Sequence, residues 1–185
     1  VIVRYLVAMT GASGSIYGIR LLQELKGRKI LVISKMAKRI IEHETEYSVD
    51  EVMKMADEVY EDDDMFAPVS SGSSPVDAMI VVPCSSSSVA KIASGLADTL
   101  ITRAAAVSIK ESRKLVLVIR ETPKSQILLE NELRLSRAGA VILDANPGFY
   151  SEPKTLDDIV NFVVGRCLDQ IGQEHDLYRK WGYSK

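Results

Sequence analysis

An α/β fold, a parallel sheet with helices on both faces in a single domain (1–185), is what this sequence predicts, and three observations predict it. Short β-branched runs alternate along the chain with segments of helical spacing. The runs are continuously apolar, as strands buried on both faces are. The 185 residues, 46% hydrophobic and 26% charged, have the size and composition of one soluble globular unit with a full core.

The runs at 2–9, 30–34, 78–83, 115–119 and 140–143 read as strands. The first is short, is interrupted by Arg4 and leads into a glycine loop, so it reads as a strand and not as a signal peptide or membrane span. The clearest helix carries Leu156, Ile159, Val160, Val163, Val164, Cys167, Leu168 and Ile171 at i, i+3, i+4, i+7 spacing. Thr155 can cap it, and Asp157 and Asp158 suit its positive end. The acidic stretch 58–64 and the small-residue stretch 70–75 read as a surface excursion and a loop before the third strand. Strands alternating with helices in this way build right-handed βαβ units.

A net charge of −2 gives no basic excess, so neither nucleic acid nor an acidic membrane surface is expected as a partner. A cytoplasmic location is the default expectation. Cys84 ends an apolar run and Cys167 lies on a helical stripe, and both read as buried thiols. With no CxxC and no Cys/His cluster, no metal is expected.

In open parallel sheets the ligand crevice lies beyond the carboxyl ends of the strands, so the residues just after each run matter most. The first run leads into Thr10-Gly11-Ala12-Ser13-Gly14-Ser15 and then a helical pattern. Glycine lets a backbone approach a ligand and a helix start offers free N–H groups, so a phosphate is expected there. The spacing is neither G-x-G-x-x-G nor a Walker sequence, and a plain tight turn is the competing reading. The second run ends in Ser34-Lys35, without the acid that binds a nicotinamide nucleotide's ribose. A hydroxyl and an amine suit a phosphate better. After the third run come Ser85, Ser86, Ser87 and Ser88 at another helix start. One serine would serve as a cap; four in succession favour a ligand. The fourth run ends in Arg120-Glu121-Thr122-Pro123, a charged pair that needs a protein partner or a polar ligand.

Glu44 continues the apolar face of Ala37, Ile40 and Ile41, and Arg166 stands at the edge of the last helical stripe. Each can equally be an edge charge reaching water. Arg103, within the apolar or small run 100–106, is expected to have a buried partner. His43 and His175 read as surface residues. With no Ser/His/Asp set, hydrolase chemistry has little support.

Taken in order, Gly11-Ala12-Ser13-Gly14, Ser34-Lys35, Ser70-Ser71-Gly72-Ser73-Ser74, Arg120-Glu121-Thr122-Pro123, Leu129-Glu130-Asn131, Asn146-Pro147-Gly148-Phe149-Tyr150 and Phe162-Val163-Val164-Gly165-Arg166 resemble the UbiX/Pad flavin prenyltransferases. The resemblance runs over essentially the whole chain, to the tail Glu174-His175-Asp176-Leu177. It implies a flavodoxin-like, Rossmann-like subunit of a homododecamer with FMN at subunit contacts. It implies a metal-independent enzyme that joins a dimethylallyl group from dimethylallyl phosphate to reduced FMN, at N5 and then C6, for use by UbiD-type decarboxylases. Carried over by position, Gly11, Ala12, Ser13, Ser34, Ser85, Ser86, Ser87, Ser88 and Arg120 would hold FMN. Tyr150 and Arg166, with Arg103 and Lys110, would hold the prenyl phosphate, and Glu44 and Glu121 would handle protons. The all-serine run after Cys84 departs from the family, which usually carries a threonine or lysine there.

Two other readings compete. An FMN-dependent cysteine decarboxylase shares the fold, and Ala90-Lys91-Ile92-Ala93-Ser94-Gly95-Leu96-Ala97-Asp98 looks rather like that family. Its Pro-Ala-Ser-Ala-Asn stretch and active-site histidine are missing here. A flavin carrier without chemistry would have no use for two carboxylates near the flavin.

Overall fold

Six parallel strands form one sheet in the computed structural model, which describes residues 2–182. They are β1 (Arg4–Met9), β2 (Arg28–Ile33), β3 (Glu58–Glu61), β4 (Ala78–Cys84), β5 (Lys114–Ile119) and β6 (Val141–Asp144), in the spatial order β3-β2-β1-β4-β5-β6. The five strands expected from the apolar runs are all present. Among themselves they stand in the order second-first-third-fourth-fifth, which is the flavodoxin-like order.

The sixth strand, β3, corrects the reading of 58–64 as a surface excursion. Val59 and Tyr60 point to opposite faces and pack against the two core layers. Glu58 is held at 2.7 Å by Arg28 of the neighbouring β2 and at 3.3 Å by Arg4 of β1, the strand beyond it. Charge on an edge strand also discourages pairing with further chains. β6, the opposite edge, is half-buried throughout rather than enclosed on both faces.

Helices cover both faces in two sets. α1 (Ser15–Glu24), α2 (Lys35–Glu44), α3 (Val49–Met53) and α7 (Leu156–Gln170) bury their apolar stripes in one core layer. α4 (Ser86–Ser94), α5 (Leu100–Lys110) and α6 (Gln126–Arg137) bury theirs in the layer on the other face. α7 starts as expected: the Thr155 hydroxyl accepts from the Asp158 N–H at 3.1 Å, and Asp158 returns the contact to the Thr155 N–H at 2.9 Å. Gly18 brings α1 against the sheet, because a Cβ there would lie 2.5 Å from the Val82 carbonyl oxygen. Cys84 and Cys167 are buried free thiols. Desolvation pushes both up, Cys167 to about 12, so neither is a nucleophile near neutral pH.

Among the described residues no helix is long and apolar enough to cross a membrane, and no group of His, Cys, Asp and Glu could hold a metal ion.

Candidate active site

Strand order reverses between β1 and β4, and Thr10 fastens the two strand ends together. Its N–H and its hydroxyl both donate to the Pro83 carbonyl, at 3.1 and 2.9 Å, and its Oγ1 accepts from the Ser85 N–H at 2.8 Å. Thr10 is 3% exposed, so these bonds form in a low-dielectric setting and fix the geometry of the loops on either side.

Beyond this junction opens a cleft of about 470 Å³ lined by Thr10, Gly11, Ser34, Lys35, Met36, Asp62, the four serines 85–88, Lys91, Thr99, Ile101 and Thr102. Three helix starts reach it. Ser34 caps α2 by accepting from Ala37 N–H at 3.2 Å, Ser85 caps α4 by accepting from Ser88 N–H at 3.1 Å, and Thr99 caps α5 by accepting from Thr102 N–H at 3.3 Å. The α5 start is already taken by a carboxylate, since the Ile101 N–H donates to Asp62 at 2.9 Å, and Lys91 pairs with Asp98 at 3.1 Å. Partial positive charge from α2 and α4, helices of 10 and 9 residues, with Lys35 and the exposed hydroxyls of Ser86 and Ser87, suits an anionic, hydrogen-bonding ligand. Only one of the four serines is needed as a cap, in keeping with a ligand role for the run.

The first helix start is different. There Glu44, the last residue of α2, accepts from the N–H groups of Gly14 at 2.9 Å and Ser15 at 3.3 Å. Two donors at the α1 start are therefore already bound to a carboxylate, which counts against the phosphate expected at that position; the α2 and α4 starts are the ones that line the cleft. Burial works to raise the Glu44 pKa. The Ser13 hydroxyl, the Gly14 and Ser15 N–H groups and the Arg120 charge outweigh it, and hold the carboxyl below its ordinary value of 4.5. Arg120 Nε donates to the Ser13 carbonyl at 3.3 Å. Ser13, Glu44 and Arg120 thus meet beside the β1–α1 loop, whose Gly11 lines the cleft, although they come from that loop, the end of α2 and the end of β5.

Arg120 and Glu121 do not pair. Glu121 is exposed and accepts from the Thr122 N–H within its own loop at 3.1 Å. It faces a second hollow of about 400 Å³ with Lys124, Asp144 and Asn146. Gly11 and Ala12 are half-buried in the β1–α1 loop.

The remaining four residues separate into two groups. Arg103 lies on α5 and finds the expected partner, donating to the Ser70 carbonyl at 2.9 Å. Lys110, at the exposed end of the same helix, pairs with Glu111 beside Gly72. Tyr150 and Arg166 belong to the opposite face of the sheet. The Tyr150 ring packs edge-on against Phe162 of α7 at 5.8 Å and against Trp181 at 5.4 Å. Arg166, on α7, donates to Asp169 at 2.8 Å. Within one chain the sheet stands between these groups.

His175 corrects another expectation, since its side chain is 2% exposed. Thr10, Lys91, Asp62 and Thr99 do not stand out in the sequence as site residues. Only their positions beside strand ends and helix starts could signal them.

Similarity to known proteins runs the full length of the chain. The sequence profile of the family described as Flavoprotein matches residues 2–168. The flavin prenyltransferase UbiX of Thermoplasma acidophilum is 49% identical over 179 residues, covering 96% of this chain and 99% of that one. The crystal structure of AnUbiX in complex with FMN and dimethylallyl pyrophosphate superposes with a TM-score of 0.97 at 45% identity, covering 100% of both chains. A dodecameric FMN-dependent UbiX-like decarboxylase from Escherichia coli gives 0.94 at 48% identity, covering 97% of this chain and 100% of that one. This chain belongs to the Flavoprotein family and, within it, to the UbiX flavin prenyltransferases.

Proposed function

We propose that this protein transfers a dimethylallyl group from its phosphate ester to reduced FMN, and that the product serves a UbiD-type decarboxylase. The observation that carries this reading is the meeting of Ser13, Glu44 and Arg120 beside the β1–α1 loop, whose Gly11 lines a hydroxyl-rich cleft, in a chain 49% identical to a flavin prenyltransferase. Anaerobic incubation of the purified protein with reduced FMN and dimethylallyl phosphate tests it. A mass gain of one prenyl unit on the flavin is expected. Decarboxylation of a thiol acid without that gain would point to the cysteine decarboxylase.

The residues present fit FMN. The donor set at the β1–β4 junction is built for an anion and for a polyhydroxyl chain, with Ser34, Lys35 and the serines 85–88 around one opening. Gly11, Ala12, Ser13 and Arg120 would hold the flavin from the other side. Reduced FMN, when bound, supplies the ring atoms N5 and C6 that take the prenyl group. Arg166 and Tyr150, with Arg103 and Lys110, would hold the phosphate and offset the charge that gathers on it as the allylic carbon–oxygen bond breaks. The aromatic side chains beside Tyr150 give the allyl group an electron-rich wall without a competing nucleophile. Glu121 and Glu44 would take up the protons released at the reacting centre.

Changing Ser34 to Asp tests the flavin side. Aspartate also caps helices well, so α2 should persist while a negative charge enters the cleft beside the phosphate. Flavin affinity by titration should fall about 10-fold or more, given the Coulomb energy of like charges a few ångströms apart. Unchanged affinity would remove Ser34 from the phosphate site.

The division of cations between the two sheet faces supports an assembly of several copies. Arg103 and Lys110 of one copy would meet Tyr150 and Arg166 of another around one prenyl phosphate, in a homododecamer of the kind reported for the Escherichia coli relative. Phe149 and Trp181 are 71% and 77% exposed, apolar surface that a second copy would cover. Deleting residues 180–185, of which 183–185 (including Tyr183, counted with these aromatics in the sequence) lie outside the described residues, should lower the oligomer mass in light scattering. An unaltered mass would exclude the tail from the interface.

A further inference from the structure

We propose that Asp169 and His175 are positioning residues that hold the Arg166 guanidinium ready for the prenyl phosphate; this rests on the proposed role of Arg166 in holding that phosphate. Arg166 Nη1 donates to Asp169 Oδ2 at 2.8 Å and to the Tyr178 hydroxyl oxygen at 3.2 Å. The Tyr178 hydroxyl in turn donates to the same Oδ2 at 2.5 Å. The other carboxylate oxygen, Oδ1, lies 3.1 Å from His175 Nε2. Because the Leu177 N–H donates to Nδ1 at 3.1 Å, that nitrogen carries the lone pair and Nε2 carries the proton. His175 therefore donates to Asp169, and both oxygens of the carboxylate are fixed.

The arrangement is built into the fold rather than lying loose on its surface. The His175 side chain is buried. A Cβ at Gly165 would lie 2.6 Å from the Tyr178 ring and 2.7 Å from the His175 ring. The residue directly before Arg166 is therefore the seat onto which the tail folds. Tyr178 also packs 4.8 Å from Phe162, which touches the Tyr150 ring, so the two proposed phosphate holders share one support. Burial acts to raise the Asp169 pKa, but Tyr178, His175 and the Arg166 charge more than offset it, and Lys180 Nζ lies 4.0 Å away. The group stays a carboxylate at neutral pH.

The consequence for the ligand is geometric. Nη1 is turned inward, while Nε and Nη2 donate to no group among the described residues and the side chain is 45% exposed. A guanidinium offers its donors in a fixed planar fork, so orienting one edge orients the other. The outward edge presents two parallel N–H groups, the pattern that grips two oxygens of one phosphate.

Steady-state transfer by the full chain, with reduced FMN, dimethylallyl phosphate and inorganic phosphate as a competing probe, tests the proposal. Asp169→Asn and His175→Leu should each raise KM for dimethylallyl phosphate and the inhibition constant of phosphate about 10-fold or more, the effect of one hydrogen bond to a charged group. Saturated turnover and FMN affinity should change little, and His175→Gln should recover part of the loss. Adding Asp169→Asn to Arg166→Met should cost nothing further, because the two act through one group. If Arg166→Met raises KM while folded Asp169→Asn and His175→Leu leave it unchanged, the positioning role is wrong and the reading of Arg166 stands. If Arg166→Met itself leaves KM unchanged, both fall. Should Asp169→Asn fail to fold, Tyr178→Phe keeps the ring against Phe162 and decides by the same outcomes.

Discussion

Replacing Glu121 with Gln should lower prenyl transfer about 10²–10⁴-fold while FMN and the prenyl phosphate still bind, the usual share of general acid–base catalysis. The structure makes this a clean substitution. Glu121 is exposed at the end of β5, and Arg120 donates to the Ser13 carbonyl instead of to its neighbour. The contact Glu121 makes with the Thr122 N–H, at 3.1 Å, needs an oxygen acceptor that glutamine also supplies. A surface change without a lost partner costs at most about 0.5 kcal/mol. Lost activity therefore cannot be ascribed to unfolding if the thermal midpoint holds. Binding measured by flavin titration separates the remaining cases. Lost turnover with retained binding supports proton handling by Glu121, and lost binding assigns it to the pocket wall. Retained turnover with retained binding transfers the role to Glu44.

Most of the sheet was legible because its strands are buried on both faces and so read as unbroken apolar runs. β3 was not. Its Glu58-Val59-Tyr60-Glu61 has only two apolar residues, and its place in the sheet depends on Arg4 and Arg28, 54 and 30 positions away, neutralising Glu58. Local pattern contains no trace of such a pairing. The cap of α7, by contrast, lies within four residues, and Thr155 was legible as its cap. At the site, residue types after each strand pointed to the end of the sheet where the cleft opens, since a parallel fold carries all those loops to one edge. What could not be read was which groups already hold one another. Glu44 stood out only as a charge on an apolar face, yet it crosses to α1 and takes the N–H groups that a phosphate was expected to use. His175 sits in a polar stretch and is buried only because the tail folds over Gly165. The separation of Arg103 and Lys110 from Tyr150 and Arg166 follows from crossover topology, which sends α5 to one face of the sheet and α7 to the other.

Changing Glu44 to Gln should also cut transfer about 10²–10⁴-fold, but with a different companion effect. In the resting protein Glu44 is an anion: burial disfavours the charge, while Ser13, Gly14, Ser15 and Arg120 together favour it more, and its pKa lies below the ordinary 4.5. A group with a depressed folded pKa stabilises the fold above its unfolded value, and that contribution disappears as pH falls through the folded value. The contribution is therefore complete at neutral pH, and glutamine should lose it there. The loss should be about 0.3–1 kcal/mol, the effect of a carboxylate at an exposed helix start. Thermal melts should show the gap between wild type and Glu44→Gln at pH 7 and its closing as the pH is lowered past 4.5. The same ionisation sets the form of the rate profile. A base already deprotonated at every pH above its low pKa adds no acid limb near neutrality. Any limb between about pH 5 and 8 thus belongs to another group, and it should survive in Glu44→Gln at reduced height. If the limb vanishes with the substitution, Glu44 titrates near neutrality with substrates bound, and its contacts with Gly14 and Ser15 must break during turnover. If transfer persists at the wild-type rate, Glu44 serves only to hold the β1–α1 loop on α2, and Glu121 carries the proton alone.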